Sequence, residues 1–183
     1  HSKSLVAALV TLVIWQSTAV FRSFESKSLE KLTVYSIRKQ SAISVKAKQM
    51  VYLYADTLVP YAYSIQPHLR SFNYPSQKDT AFNYVSFKNL SVLILEAKDS
   101  GKIAPGLPYE ILVLKPGARI NQHFLKNSKA LQLVVVEGPR PRKQMSFISN
   151  LCRNFKIKLY STALQGACVL SVNDKGYEIE NWR

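Results

Sequence analysis

The chain has 183 residues, with 25 Lys and Arg against 11 Asp and Glu, so its formal net charge is +14. This length suits one globular domain with an appendage. A hydrophobic fraction of 47% excludes an intrinsically disordered chain, because such chains lack the apolar residues that offset the entropy of ordering. Two cysteines exclude a disulfide-stapled miniature domain. Three histidines leave little material for a histidine-based metal site, so most metal-dependent hydrolases are poor candidates.

The N-terminal segment is uncharged and apolar over residues 4–21, between Lys3 and Arg22. Its 18 residues would span about 27 Å as a helix, which is just enough for the hydrocarbon core of a bilayer. We predict that residues 1–21 are the last membrane helix of a longer protein, of which this chain is the C-terminal piece. The alternatives are a cleaved signal peptide, with small residues at 17–19 near a cleavage point, and a lone N-terminal anchor.

The remaining chain divides into a polar linker at 22–31, a folded domain at 32–175 and a C-terminal tail at 176–183. Runs rich in β-branched and aromatic residues, separated by short polar turns, predict a meander of strands at the start of the domain. The predicted elements of this first half are strands at 32–37, 42–45, 50–55, 83–87 and 90–96, and a short helix at 59–69.

The second half alternates strands and helices. Continuous apolar runs at 111–114 and 131–136 are typical of strands that are covered on both faces. Apolar residues at helical spacing predict an amphipathic helix at 143–155 that packs against a sheet. A short helix at 120–127 lies between those strands, and two closing strands follow at 157–161 and 167–172. A meander followed by strand–helix–strand units predicts an α/β (α+β) sandwich.

Several residues at the ends of these elements carry a family resemblance. Gln40 and Ala42 lie in the turn after the first strand, and Asp56-Thr57 ends the third. A Lys115-Pro116-Gly117-Ala118 loop follows the strand at 111–114. In this order the chain resembles the C-terminal metallo-β-lactamase-like domain of the ComEC family, competence proteins that form the inner-membrane channel for DNA uptake. The glycines and the aspartate of the family's Gly-Gln-Gly-Asp-Ala turn are replaced.

The resemblance implies a degenerate metallo-β-lactamase-like αββα sandwich preceded by one transmembrane helix. It implies residence in the bacterial inner (cytoplasmic) membrane, with the soluble domain on the outer, periplasmic side. The implied partners are DNA through its phosphate backbone, the membrane through residues 4–21, and the remaining channel helices of the same polypeptide. Arg22 and the basic flank favour the opposite orientation, because positive residues concentrate on the cytoplasmic side of membranes.

The metal-binding motifs of active relatives are missing from this sequence. An active enzyme needs a His-x-His-x-Asp-His cluster and later His and Asp ligands that hold two divalent ions. No His-x-His occurs, and the positions of the family's later histidines, 115–118 and 138–142, contain no ligand. His68 and His123 are isolated, and Asp56 is at least as well explained as a turn-forming residue.

We therefore predict a non-catalytic domain, a pseudoenzyme with no catalytic residue, no metal and no cofactor. The alternative within the same fold is a metal-dependent nuclease or hydrolase with relocated ligands. Cys152 and Cys168 lie on different predicted elements, and we expect them to be buried free thiols.

The positive charge points to a polyanionic partner. No acidic residue lies between Glu137 and Asp174, whereas six basic residues fall there. Basic residues at a helix N-terminus oppose the helix dipole unless an anion binds there. We predict that the phosphate backbone of DNA contacts Lys115, Arg119, Arg140, Arg142, Lys143 and Lys156. The alternatives are a solvated basic loop and a membrane-anchored extracytoplasmic interaction domain that does not bind DNA.

Overall fold

The computed structural model describes most of the C-terminal two thirds of the chain and shorter stretches before it. The described residues are 6, 9–18, 30–37, 41–47, 50–55, 65, 76–78, 83–87, 90–99, 108–173 and 176–181. Several features of the sequence analysis lie outside these residues. They are the linker before residue 30, Gln40 of the turn, the Asp56-Thr57 corner, His68, and the predicted helix at 59–69 apart from Ile65.

From residue 30 onward, the described residues form eleven strands, three α-helices and a short 3-10 helix at Ala97–Asp99. The strands are β1 (Glu30–Val34), β2 (Ala42–Ala47), β3 (Met50–Ala55), β4 (Ser76–Lys78), β5 (Tyr84–Phe87), β6 (Leu90–Leu95), β7 (Ile111–Leu114), β8 (Leu133–Val136), β9 (Lys158–Ser161), β10 (Cys168–Asn173) and β11 (Gly176–Asn181). The helices are α1 (Gln122–Lys126), α2 (Arg142–Asn154) and α3 (Thr162–Gln165).

The strands form two sheets. The first has the order β11-β10-β1-β2-β3-β4 and is antiparallel except for the β3–β4 pair. The second has the order β5-β6-β7-β8-β9, with β6 to β9 parallel and β5 antiparallel to β6. The helices α1 and α2 connect neighbouring parallel strands, because a parallel pair requires a crossover.

The two sheets pack face to face around one apolar core. Leu32 and Val34 of β1 share this core with Val113 of β7 and Val135 of β8. Residues of the opposite parity on β7 and β8 form a second core with Leu125 of α1 and with Ile148 and Leu151 of α2. Both faces of these central strands are therefore covered, which explains their continuous apolar sequences. The predicted mixed α/β class is confirmed.

The helix α2 begins and ends at residues that explain its length. Its N-cap is Pro141, which offers no capping side chain, and its first turn contains no acidic residue. At the other end Lys156 has a positive φ of 57°, and the Ile157 N–H donates to the Cys152 carbonyl at 2.8 Å. A left-handed residue followed by such a bond is a common way for a helix to terminate.

Residues 176–181, which the sequence analysis assigned to a tail, form the strand β11. This strand pairs antiparallel with β10 and packs Tyr177 and Ile179 against the inter-sheet core. Gly176 has a φ of 132°, which a glycine adopts without strain at the turn from β10. The alternation of Tyr177 and Ile179 with Glu178 and Glu180 is the strand signal that identifies this segment.

The N-terminal helix has apolar side chains in solvent. Residues 9–18 are helical, and the large apolar side chains from Val10 to Trp15 are 50–71% exposed. Among the residues that the structure describes, no helix is both long and apolar enough to cross a membrane. Seven of the 18 residues of the predicted span at 4–21 lie outside the described residues, so that span stays a prediction.

Candidate functional site

Polar side chains collect where the parallel strands of the second sheet end. Glu96 follows β6, Lys115 follows β7, Glu137 follows β8, and Ser161 ends β9. The carboxyl ends of parallel strands meet at one edge, and in open α/β sheets this edge is the usual place for ligands. We call this group, with the residues of the first sheet that contact it, the carboxyl-edge seam.

The first contact of the seam is an ion cluster around Lys115. Its Nζ lies 3.0 Å from Oε1 of Glu96 and 2.5 Å from the hydroxyl of Tyr54, a residue of β3 in the other sheet. The same ammonium group lies 3.8 Å from the centre of the Tyr54 ring. Lys115 is only 6% exposed. A buried ammonium requires such compensation, so this lysine joins the two sheets.

Glu96 is held in its charged form by several donors. A hydrogen bond from Lys98 is the main cause that lowers the pKa of Glu96 from 4.5 to about 2, and Lys115 and the Tyr54 hydroxyl contribute in the same direction. Burial raises the pKa of Glu96, but this effect is smaller than the combined effect of the donors. The carboxylate is thus the anionic centre of the cluster.

This low pKa predicts a pH dependence of stability. A carboxyl group with a lowered pKa in the folded state stabilises the protein above its ordinary pKa, and this stabilisation is lost as the pH falls. We expect the free energy of unfolding to decrease between pH 4.5 and about 2 more steeply for the parent than for Glu96→Gln. Urea unfolding at several pH values measures this difference, and parallel pH profiles for the two proteins would contradict it.

The second contact of the seam is the buried carboxylate of Glu137, which is 0% exposed. Its Oε2 accepts a hydrogen bond from the Ser41 hydroxyl at 2.7 Å, and its Oε1 accepts one from the Ala42 N–H at 3.0 Å. Both donors lie at the start of β2. Nearby, the Ser36 hydroxyl after β1 donates to the Thr162 carbonyl at 2.8 Å. These bonds join the first sheet to the ends of β8 and β9.

Arg140 fixes the loop that follows β7. Its Nη1 donates to the Ala118 carbonyl at 2.6 Å, and its Nη2 donates to the carbonyls of Leu114 and Lys115 at 3.1 and 2.6 Å. Burial lowers the pKa of the Arg140 guanidinium, and the charge of Glu137 acts in the opposite direction. This arginine therefore uses its donors on the backbone of a neighbouring loop.

The loop held by Arg140 is a tight turn. The Ala118 N–H donates to the Lys115 carbonyl at 3.0 Å, with Pro116 and Gly117 between them. Gly117 has a φ of 83°, and a Cβ there would lie 3.1 Å from the Cβ of Ala97. Proline followed by a glycine of positive φ is the signature of a type II turn.

The six predicted DNA contacts fall into two groups. Lys115 and Arg140 are brought together, since Arg140 bonds to the Lys115 carbonyl, but both direct their charged groups at partners within the chain. The side chains of Arg119, Arg142, Lys143 and Lys156 are exposed.

Three of the exposed cations lie near one another. Arg119 lines a groove of about 210 Å³ together with Gln144 and Phe147 of α2, whose first two residues are Arg142 and Lys143. Lys156 is not part of this group, because it follows the 13-residue helix at its far end, about 20 Å away.

Comparison with protein families identifies the chain. The family model described as the ComEC C-terminal domain matches residues 32–172. The chain belongs to this family. Membership indicates a role in competence DNA uptake and association with the membrane channel that performs it. No curated protein and no solved structure matches the chain.

In the described part of this ComEC-family domain, the histidine and the two cysteines are not gathered into a metal-binding group. Within the described residues, no three His, Cys, Asp or Glu side chains are grouped so that they could hold a metal ion. His123 is exposed on α1, where its Nε2 lies 3.2 Å from the side-chain nitrogen of Asn127. Cys152 and Cys168 are buried free thiols, as predicted. Burial raises the pKa of Cys152 to about 11 and that of Cys168 to about 12.

Sequence reasoning missed the acidic and aromatic members of the seam. It did not select Tyr54 or Glu96, and it used Glu137 only as the boundary of a basic stretch. One signal was present, since Glu137 is the first charged residue after a fully apolar strand and so must lie at the strand's carboxyl end. Glu96 gives the same signal after the apolar run at 92–95, whereas Tyr54 gives none, because its role depends on contacts between the two sheets.

Proposed function

We propose that this ComEC-family domain is a non-catalytic, metallo-β-lactamase-like unit of a DNA-uptake channel that contacts the phosphate backbone of DNA. One observation carries the proposal. The two loops that the family resemblance assigns to metal ligands, 115–118 and 138–142, lie against each other through Arg140 and contain basic side chains instead of ligands. Three features support the proposed fold. The two sheets pack face to face, helices cover the outer face of the second sheet, and Ile65 packs in an apolar cluster with residues of β2 and β3 in the first sheet.

The electrostatics of the carboxyl-edge seam support the absence of catalysis. The Lys115 ammonium occupies the loop where active relatives carry paired histidines, and it repels a divalent cation by Coulomb's law. The nearest carboxylates are already used, since Glu96 pairs with Lys115 and Glu137 accepts two bonds from β2. Magnesium- or manganese-dependent cleavage of DNA by the purified chain, or two metal ions bound per chain, would overturn this part of the proposal.

The electrostatics around the start of α2 support a contact with DNA. Arg142 and Lys143 stand in the first helical turn, where the helix dipole already makes the potential positive. The N-cap residue Pro141 offers no side-chain hydrogen bond to the N–H groups of this turn, and Arg119 lies across the small groove. Such an arrangement is unfavourable in isolation and becomes favourable when a phosphate binds.

Salt dependence tests the contact with DNA. If the four exposed candidates each neutralise a phosphate, the affinity of the full chain for a short duplex should fall roughly a hundredfold from 50 to 200 mM salt. Arg142→Gln with Lys143→Gln should reduce the slope of log K against log salt by about 2. Fluorescence anisotropy measures both. Lys129→Gln, an exposed position in the turn after α1, is the charge-matched control. A parent protein without a salt slope would refute the proposal.

The exposed apolar side chains at 9–18 support a membrane span over residues 4–21. On the basis of the family resemblance, we place the soluble domain on the outer side of the cytoplasmic membrane, connected through this span to the remaining channel helices of the same polypeptide. A protease added to spheroplasts should then digest the domain, whereas protection until the cells are lysed would show the opposite orientation.

A further inference from the structure

A second groove, of about 470 Å³, lies between α2 and the β9–α3 segment. It does not include the small groove beside Arg119. The residues that line it are Met145, Ser146, Ser149, Asn150, Arg153, Leu159, Ser161, Leu164 and Gln165. No acidic residue is among them, and both walls belong to the part of the chain between Glu137 and Asp174.

The wall formed by α2 is polar and cationic. Ser146, Ser149, Asn150 and Arg153 recur at spacings of three, one and three residues, so they share one face of the helix. Their hydroxyl, amide and guanidinium groups all donate hydrogen bonds. Arg153 is exposed. The face thus offers several donors and one positive charge to a ligand with many acceptor oxygens.

The opposite wall presents Leu159 and Leu164 together with Ser161 and Gln165, and it is held in place. Leu164 is 80% exposed, although it is a large aliphatic side chain. The α3 turn that carries it is fixed because the Gln165 side chain accepts from the Ser161 N–H at 2.9 Å and the Tyr160 hydroxyl donates to the Ala167 carbonyl at 3.1 Å. The groove is therefore preformed, with an apolar surface facing a row of donors.

We propose that this groove seats one unpaired nucleotide of a nucleic-acid strand, with the phosphate on Arg153 and Asn150 and the base against Leu164. The proposal rests on the proposed function, which it extends from backbone contact to recognition of single-stranded segments. A nucleotide combines an anionic group rich in acceptor oxygens with a flat apolar face, and the two walls match these two parts. A duplex cannot place a base against Leu164, since its bases are stacked inside.

The groove is placed to share a strand with the cations at the start of α2. Arg142 and Arg153 are eleven residues apart on one helix, about 16 Å along its axis. A strand that contacts Arg142 and Lys143 can therefore continue along α2 into the groove. A purely acidic peptide such as polyglutamate could satisfy Arg153 but has no flat apolar group for Leu164, so we favour the nucleotide.

The test compares two probes and two variants of the full chain. We expect Arg153→Gln to weaken binding of fluorescent oligothymidylate about tenfold, because a charge-assisted hydrogen bond is lost. Leu164→Ser should weaken the same probe about fivefold through lost apolar contact and leave a duplex of equal length unaffected. Both side chains are exposed, so circular dichroism should show an unchanged fold. The control is again Lys129→Gln.

The outcomes separate this inference from the proposed function. If the Arg142→Gln and Lys143→Gln double variant loses affinity while Arg153→Gln and Leu164→Ser bind oligothymidylate like the parent, the groove assignment is wrong and backbone contact stands. If no variant changes the affinity of either probe, both are wrong. Equal competition by polyglutamate and by oligothymidylate for the groove would also overturn the assignment to a nucleotide.

Discussion

Glu137→Ala is expected to lower the free energy of unfolding by about 3–5 kcal/mol. The carboxylate is completely buried, and it accepts hydrogen bonds from the Ser41 hydroxyl and the Ala42 N–H. Alanine removes both acceptor oxygens, so neither the Ser41 hydroxyl nor the Ala42 N–H can donate to residue 137. It also opens a cavity at the junction of the sheets. Urea unfolding followed by circular dichroism measures the change.

Two further variants separate the contributions to this loss. Glu137→Gln keeps the volume and one acceptor oxygen, so we expect a smaller loss of about 1–3 kcal/mol. Ser41→Ala removes one of the two donors and should cost the least of the three. A Glu137→Ala protein as stable as the parent would show that the bonds between Glu137 and β2 do not hold the sheets together.

Glu96→Ala is expected to destabilise the fold by about 3 kcal/mol, because it removes the carboxylate that lies 3.0 Å from the buried Lys115 ammonium. The loss should be specific to the charge. Lys115→Met fills a similar volume without a charge, and in the Glu96→Ala background it should recover part of the stability. The double-mutant cycle of these two substitutions gives the coupling free energy, which we expect to exceed 1 kcal/mol.

The control for this cycle is Lys98→Met. Its ammonium also contacts Glu96, at 2.9 Å, and is the main cause of the low pKa of Glu96, but its side chain is 72% exposed, so water screens the pair and Lys98→Met should cost clearly less stability than Lys115→Met. Equal effects of Lys98→Met and Lys115→Met would contradict the assignment of Lys115 as the residue that joins the sheets.

Much of the fold could be predicted because its periodic patterns are strong. The apolar run at 111–114 is β7, the run at 131–136 contains all of β8, and the helix predicted at 143–155 is α2 within one residue at each end. Strand β11 was missed although its sequence alternates, because only two of its six residues, Tyr177 and Ile179, are apolar. Helix α3 was missed because four residues are too few to show a helical period.

The candidate site was harder to predict, because its key contacts join residues far apart in sequence. Lys115 is 61 residues from Tyr54, and Glu137 is 96 residues from Ser41. Lysines in loops are normally exposed. The sequence around Lys115 therefore favoured a contact with an external anion over an internal ion cluster. Arg140 has the same explanation: nothing local indicates that its guanidinium will bind the carbonyls of another loop.

The position of β1 has a consequence for how the protein is made. This strand, the first of the domain, lies between β2 and β10, and its Glu30 is opposite Val172. The first sheet therefore stays incomplete until β10 has been synthesised, and its closure requires contacts of very high sequence separation. Until then the emerging chain exposes the apolar strands β1 to β3, to which chaperones can bind.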